Sequence, residues 1–61
     1  MNPWTRGNII EELTGSYGLE LSSAIEIADL TFNDYHKAIL IGKRIQSGES
    51  YESIRDSLKN R

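Results

Sequence analysis

Apolar residues recur at helical spacing through most of this chain, and the longest such run organises the rest. Stepping about 100° per residue from Phe32 gathers Phe32, Tyr35, Ala38, Ile39, Ile41, Gly42 and Ile45 on one half of a helical wheel. Asn33, His36, Lys37, Lys43, Arg44 and Ser47 fill the other half. The pattern predicts an amphipathic helix over residues 32–47. Thr31 is the expected N-cap, with Asp34 three residues on in a capping-box-like spacing. Lys43 and Arg44 stand in the last turn, where cations suit the negative helix end, and Gly48 fits the left-handed stop. Leu40 breaks the pattern, because it falls inside the polar half among His36, Lys37, Lys43 and Arg44. Another helix of the same chain could cover it, it could be a lone surface leucine, or it could touch a partner from within a basic ring.

Three shorter helices are predicted around that element. The first spans about 6–14, with Ile9, Ile10 and Leu13 inward and Glu11 and Glu12 outward. Its start has two readings: Thr5 caps and Trp4 staples onto Ile9, or Asn2 caps and Pro3 takes the first helical position. Gly15-Ser16-Tyr17-Gly18 reads as a turn whose Tyr17 and following Leu19 tuck into the core. The second helix spans about 22–30, capped by Ser23 with Glu26, or by Ser22. Leu21, Ala24, Ile25, Ile27, Ala28 and Leu30 surround nearly the whole wheel, the mark of a buried helix. Ser50 caps a fourth helix over about 51–59, whose Tyr51, Ile54 and Leu58 form a narrow stripe that docks on one neighbour. The expected neighbour is the C-terminal half of the central helix, through Ile41, Ile45 or Leu40. No strand is expected.

Sixty-one residues make one domain at most. A chain of this size buries only about 60% of its unfolded surface, so a lone copy is expected to be stable by about 3–5 kcal/mol. There is no cysteine, hence no disulfide and no thiolate metal site, and the single histidine cannot hold a zinc ion alone. Self-association is one route to added stability. The net charge of −2 argues against broad nucleic-acid binding, but it is unevenly spread: residues 1–34 carry six acids and one base, residues 35–61 six bases and three acids. Such polarity can steer a partner or favour head-to-tail association. No apolar run is long enough to span a membrane and no signal-peptide pattern opens the chain, which points to a cytoplasmic protein.

Candidate chemistry is sparse. Glu11 and Glu12 are adjacent acids on an expected solvated face, where nothing would tune them for proton transfer. His36 has Asp34 and Asn33 nearby but no nucleophile placed by sequence. The glycines match no phosphate-cradling loop. The expectation is a non-enzymatic protein with no catalytic residue, metal or cofactor.

Residues 9–41 resemble the ubiquitin-associated (UBA) domain and its relatives, including the N-terminal three-helix module of elongation factor Ts. Tyr17-Gly18-Leu19 stands where that family has a Met-Gly-Phe-like turn, and Ala24 follows Gly18 by six residues as the family's helix 2 alanine does. Asn33-Asp34 opens the third helix, and Ala38 is followed by Ile39-Leu40-Ile41. The chain departs in the spacing of Leu13 from Gly18, in Tyr17 for methionine, and in the helix that follows. The resemblance implies a compact three-helix core and a partner surface made of Tyr17, Gly18 and Leu19 with Ile39 and Leu40.

Residues 38–58 are similar to the first two helices of a sigma-factor-like helix-turn-helix, through Ala38-Ile39-Leu40-Ile41, Gly48-Glu49-Ser50-Tyr51 and Ile54. A recognition helix would have to follow. If residues 51–59 served instead, Arg55 and Lys59 would come with Glu52 and Asp56, a poor surface for phosphate.

The sequence therefore predicts an all-α protein: a small three- to four-helix bundle, with a UBA-like core and a C-terminal helix, in a single domain. The expected function is a small protein-binding or regulatory module acting through a helical surface, with another protein or a second copy as partner. The alternative is a DNA-binding regulator. Candidate partner residues are Tyr17, Gly18, Leu19, Ile39, Leu40, Lys43, Arg44, Tyr51, Ile54 and Leu58.

Overall fold

The computed structural model describes residues 5–60, and these form four helices with no strand among them. They are α1 (Thr5–Gly15), α2 (Leu21–Leu30), α3 (Tyr35–Gln46) and α4 (Tyr51–Lys59). The all-α bundle expected from periodicity is the observed fold. Both readings of the entry to α1 turn on residues 1–4 and lie outside the described residues.

The core is small. Ile9 and Leu13 of α1, Ala24, Ile27 and Ala28 of α2, Ala38 and Ile41 of α3 and Ile54 of α4 are buried together. Ile10, Tyr17, Leu19, Ile39, Ile45, Tyr51 and Leu58 pack against them. Tyr17 and Leu19 thus turn inward as their place in the first turn suggests. The hub is α1 rather than the longer α3: α1 packs along both α2 and α3, which touch one another less. Small residues allow that approach, since Ala24, Ala28, Ala38 and Gly42 are all buried where helices meet.

The joint between α2 and α3 differs from expectation. Thr31 does not cap α3. It is buried at the end of α2, and its hydroxyl donates 2.7 Å to the Ile27 carbonyl. The Phe32 amide donates to the Asp29 carbonyl and the Asn33 amide to the Ala28 carbonyl. That pair of bonds is a Schellman stop, with Phe32 at the position where the chain turns left-handed. Phe32 (φ 55°) and Asn33 (φ 59°) are both in that region, so α3 starts only at Tyr35. Asp34 is the cap, its Oδ1 accepting from the Lys37 amide at 3.1 Å. Phe32, expected on the buried half of the central helix, is 85% exposed.

α2 begins at Leu21 behind Glu20, whose side chain makes no capping bond, so Ser22 and Ser23 lie inside the helix. α4 begins as expected, with Ser50 Oγ accepting from the Ser53 amide. α3 ends as expected too: Gly48 (φ 112°) makes the stop, with its amide on the Ile45 carbonyl and the Glu49 amide on that of Arg44.

α2 is not buried all round. Ala24, Ile27 and Ala28 face the core, while Leu21 is 60% exposed and Ile25 also reaches solvent. A 61-residue chain has too few elements to cover both faces of one helix. α4 docks chiefly on α2, not on the C-terminal half of α3. Ile54 enters the core there at 3% exposure.

Candidate partner-binding groove

The docking of α4 on α2 leaves a cleft beside α3. It is lined by Leu30, Thr31 and Phe32, by Lys37, Leu40, Ile41 and Arg44 of α3, and by Leu58 of α4, with a volume of about 350 Å³. The four α3 residues follow helical spacing, so they form one stripe: an apolar pair with a cation at each end. Leu40 is 59% exposed. The fourth helix therefore does not fold over Leu40 within one chain. The groove continues past Leu30, Phe32 and Leu58 to a shallow edge formed by Asp29 and Lys59.

Phe32 forms one wall under strain. A left-handed backbone costs a residue with a Cβ about 1–2 kcal/mol, which is why glycine usually stands at this position of a Schellman stop. Gly48 stands there at the end of α3; a large aromatic stands there at the end of α2. Burial does not compensate, because most of the Phe32 side chain is in solvent. Strained conformations of this kind concentrate where a surface has work to do.

The other candidate residues scatter. Leu40, Arg44 and Leu58 line the groove, and Lys43 is exposed near the end of α3. Ile39 is half-buried against the core. Tyr17 packs on Gly42, which is two residues and about 200° around α3 from Leu40. The surface implied by the UBA resemblance is thus not gathered into one patch with Leu40; Gly18 (φ 66°) is exposed in the turn and Leu19 is half-buried. Ile54 is held inside the chain. Arg44 is tied back to Glu49 by a two-pronged ion pair, with Nε at 3.1 Å and Nη2 at 2.8 Å. Lys37 makes no ion pair among the described residues.

Tyr51 serves the α2–α4 seam rather than a free surface. Its hydroxyl donates to Glu26 Oε1, and Lys59 Nζ lies 3.5 Å from the other Glu26 oxygen. Arg55 sits over the Tyr51 ring at 5.8 Å and beside Asp56 at 3.7 Å. The two cations that a DNA-reading fourth helix would offer are therefore turned to partners within the chain. The Tyr51 hydrogen bond holds the Glu26 carboxyl below the usual carboxylate range, helped by Lys59 and Arg55. Burial, and then the bond to Glu26, push the Tyr51 phenol up to about 12.

The seam should accordingly weaken at both pH extremes. A phenol whose folded pKa is raised contributes stability that is complete below its unfolded value near 10 and is lost as pH rises towards 12. Glu26 has the opposite sign: its contribution is present above its unfolded value and lost as pH falls through the depressed folded one. Thermal melts of wild type and Tyr51→Phe between pH 8 and about 12 check this. The variant should start less stable and lose less on the alkaline side; parallel curves would show that the hydroxyl does not hold the seam.

Sequence reasoning missed Phe32, Leu30 and Lys37. The helical wheel assigned Phe32 to the buried half because it assumed an unbroken helix through Asn33. The one available signal was the absence of glycine between α2 and α3, where the chain needs a stop, with Asn33 and Asp34 the residues there that tolerate the left-handed region best. Among the described residues no three His, Asp or Glu side chains meet as a metal site requires. Glu11 and Glu12 line a shallow depression with Thr5, Asn8 and Tyr35. Compared with protein families, curated proteins and solved structures, the chain matches none.

Proposed function

We propose that this protein is a small cytoplasmic, non-catalytic module of regulatory type that binds another protein through the groove between α2, α3 and α4. One observation carries the reading: a strained, solvent-facing Phe32 stands over an apolar groove whose floor and walls are Leu30, Ile41, Leu40 and Leu58. Exposed aromatic and aliphatic anchors beside a concave apolar surface are what a protein interface uses. The lysine and arginine at either end of the α3 stripe add orientation rather than affinity. The alternative, a DNA-binding regulator, is disfavoured by the ion pairs and stacking that occupy Arg55 and Lys59.

Two measurements test the proposal. Immobilised wild type and Leu40→Glu are exposed to an extract of the native cell, and retained proteins are identified by mass spectrometry. The proposal expects a protein retained by wild type and lost with the variant, whose helicity should be unchanged because Leu40 is exposed. Fluorescence anisotropy with random duplex DNA at two salt concentrations should show negligible affinity. Tight binding with a steep salt slope that falls when Arg55 or Lys59 is neutralised would instead support the DNA reading.

A further inference from the structure

We infer that the occupant of the groove is a second copy of this chain, each copy seating its Phe32 in the groove of the other to close a two-fold dimer. The inference rests on the reading of the groove as a protein-binding surface and names its partner.

The first ground is the position of the knob relative to its hole. Phe32 is 85% exposed and is itself a wall of the groove that Leu30, Leu40, Ile41 and Leu58 complete. A knob and a receptor on opposite faces of a molecule link copies into open chains. A knob beside its receptor on one face lets two copies fill each other's groove at once, about a two-fold axis. The left-handed backbone at Phe32 points to the same use, since it throws the ring outward where a helical residue would turn it along α2 or α3.

Charge gives the second ground. Lys37 lies on the α3 edge of the groove, without an ion-pair partner among the described residues. Asp29 lies on the opposite edge, beyond Leu30 and Phe32. It is bridged to Arg6 at 2.7 Å, yet its side chain is 61% exposed and can accept a second cation. A two-fold axis between Phe32 and the groove turns the α3 edge of one copy towards the α2 edge of the other, so Lys37 meets Asp29 twice, while Lys59 on that same edge is held by Glu26 at 3.5 Å. The apolar centre and the pair of opposite charges across it are therefore self-complementary.

Sedimentation of the full chain from about 10 µM to 1 mM tests the inference, a range that covers weak association. Wild type should approach twice the monomer mass as concentration rises. Phe32→Gly should remain monomeric while its melting temperature at low concentration is unchanged or raised, because glycine suits the backbone at that position. Lys37→Asp should weaken the dimer, and adding Asp29→Lys in the same chain should restore it. Leu21→Asp, which alters the exposed face of α2 away from the groove, should have no effect on mass.

Wild type that stays monomeric at about 1 mM overturns the inference, as does Phe32→Gly that dimerises like wild type, or loss of the dimer through Leu21→Asp alone. A monomer that still retains another protein in a Leu40-dependent manner leaves the groove reading standing and removes only the second copy. A monomer that retains nothing removes both.

Discussion

Ala28→Asp should abolish the cooperative melting transition, whereas Leu21→Asp on the same helix should leave it within about 0.5 kcal/mol of wild type. Ala28 is completely buried where α2 meets its neighbours, and Leu21 is 60% exposed. A carboxylate at position 28 has neither water nor a cation within the core formed by Ile9, Leu13, Ala24, Ile27, Ala38, Ile41 and Ile54. Charged, it costs several kcal/mol; protonated, it still brings an unpaired polar group and three extra heavy atoms into a packed site. The whole domain is expected to be stable by only about 3–5 kcal/mol, so the penalty consumes most or all of it. Circular dichroism melts of the two variants decide the point. An Ala28→Asp protein with wild-type helicity and midpoint would mean that the core lies elsewhere. Equal damage from Leu21→Asp would mean that α2 is enclosed on every side.

The second large effect is expected at Gly42, where α3 crosses α1 and the first turn. A Cβ at that position would stand 2.9 Å from Leu13 Cδ2 and 3.2 Å from the Tyr17 ring. Leu13 is fully buried, so its methyl group has no open space in which to retreat. Gly42→Val adds a branched side chain into that contact and should destabilise by about 1–3 kcal/mol, through overpacking. Helix propensity pulls the other way: glycine in a helix interior is worse than alanine by about 0.8–1.0 kcal/mol. Gly7 separates the two influences. It lies in α1 with nothing within 4 Å of the place a Cβ would take, so Gly7→Ala should show the propensity gain with no clash. Urea unfolding midpoints should therefore move in opposite directions for Gly42→Val and Gly7→Ala. A stabilised Gly42→Val would show that α1 and α3 do not approach as closely as this packing requires.

These two sites also mark how far the sequence reaches. The alanines of α2 and the glycine of α3 were legible as members of apolar helix faces, because helical spacing places them there. Which neighbour comes close was not legible: a wheel identifies the face that seeks burial and is silent on the element that supplies it. The candidate groove divides in the same way. Leu40 stood out as an apolar residue among cations, and Leu58 as part of a stripe too narrow to fill a core. Phe32 did not stand out, because its exposure depends on a left-handed backbone that periodicity does not encode. Ile54, grouped with Leu58 by spacing, is drawn inward by the way α4 lies on α2.

By itself the sequence determined the class of fold, the number of helices and most of their ends. Helical periodicity, the Ser50 cap and the Gly48 stop are local, and local hydrogen bonding and backbone sterics act the same way in any surroundings. Tertiary structure decided the rest. Between α2 and α3, Thr31 had two possible uses, as the cap of the helix ahead or the last turn of the helix behind. Burial settled the matter, because a hydroxyl withdrawn from water bonds to the carbonyl within reach, that of Ile27. The chain then had to reverse in two residues, Phe32 and Asn33, and the reversal placed an aromatic ring in solvent. The docking of α4 on α2, through Ile54 and the Tyr51–Glu26–Lys59 cluster, left Leu40 uncovered and opened the groove beside it. A chain this short has apolar stripes on four helices and too few helices to cover every stripe, so only the packed arrangement determines which one faces outward.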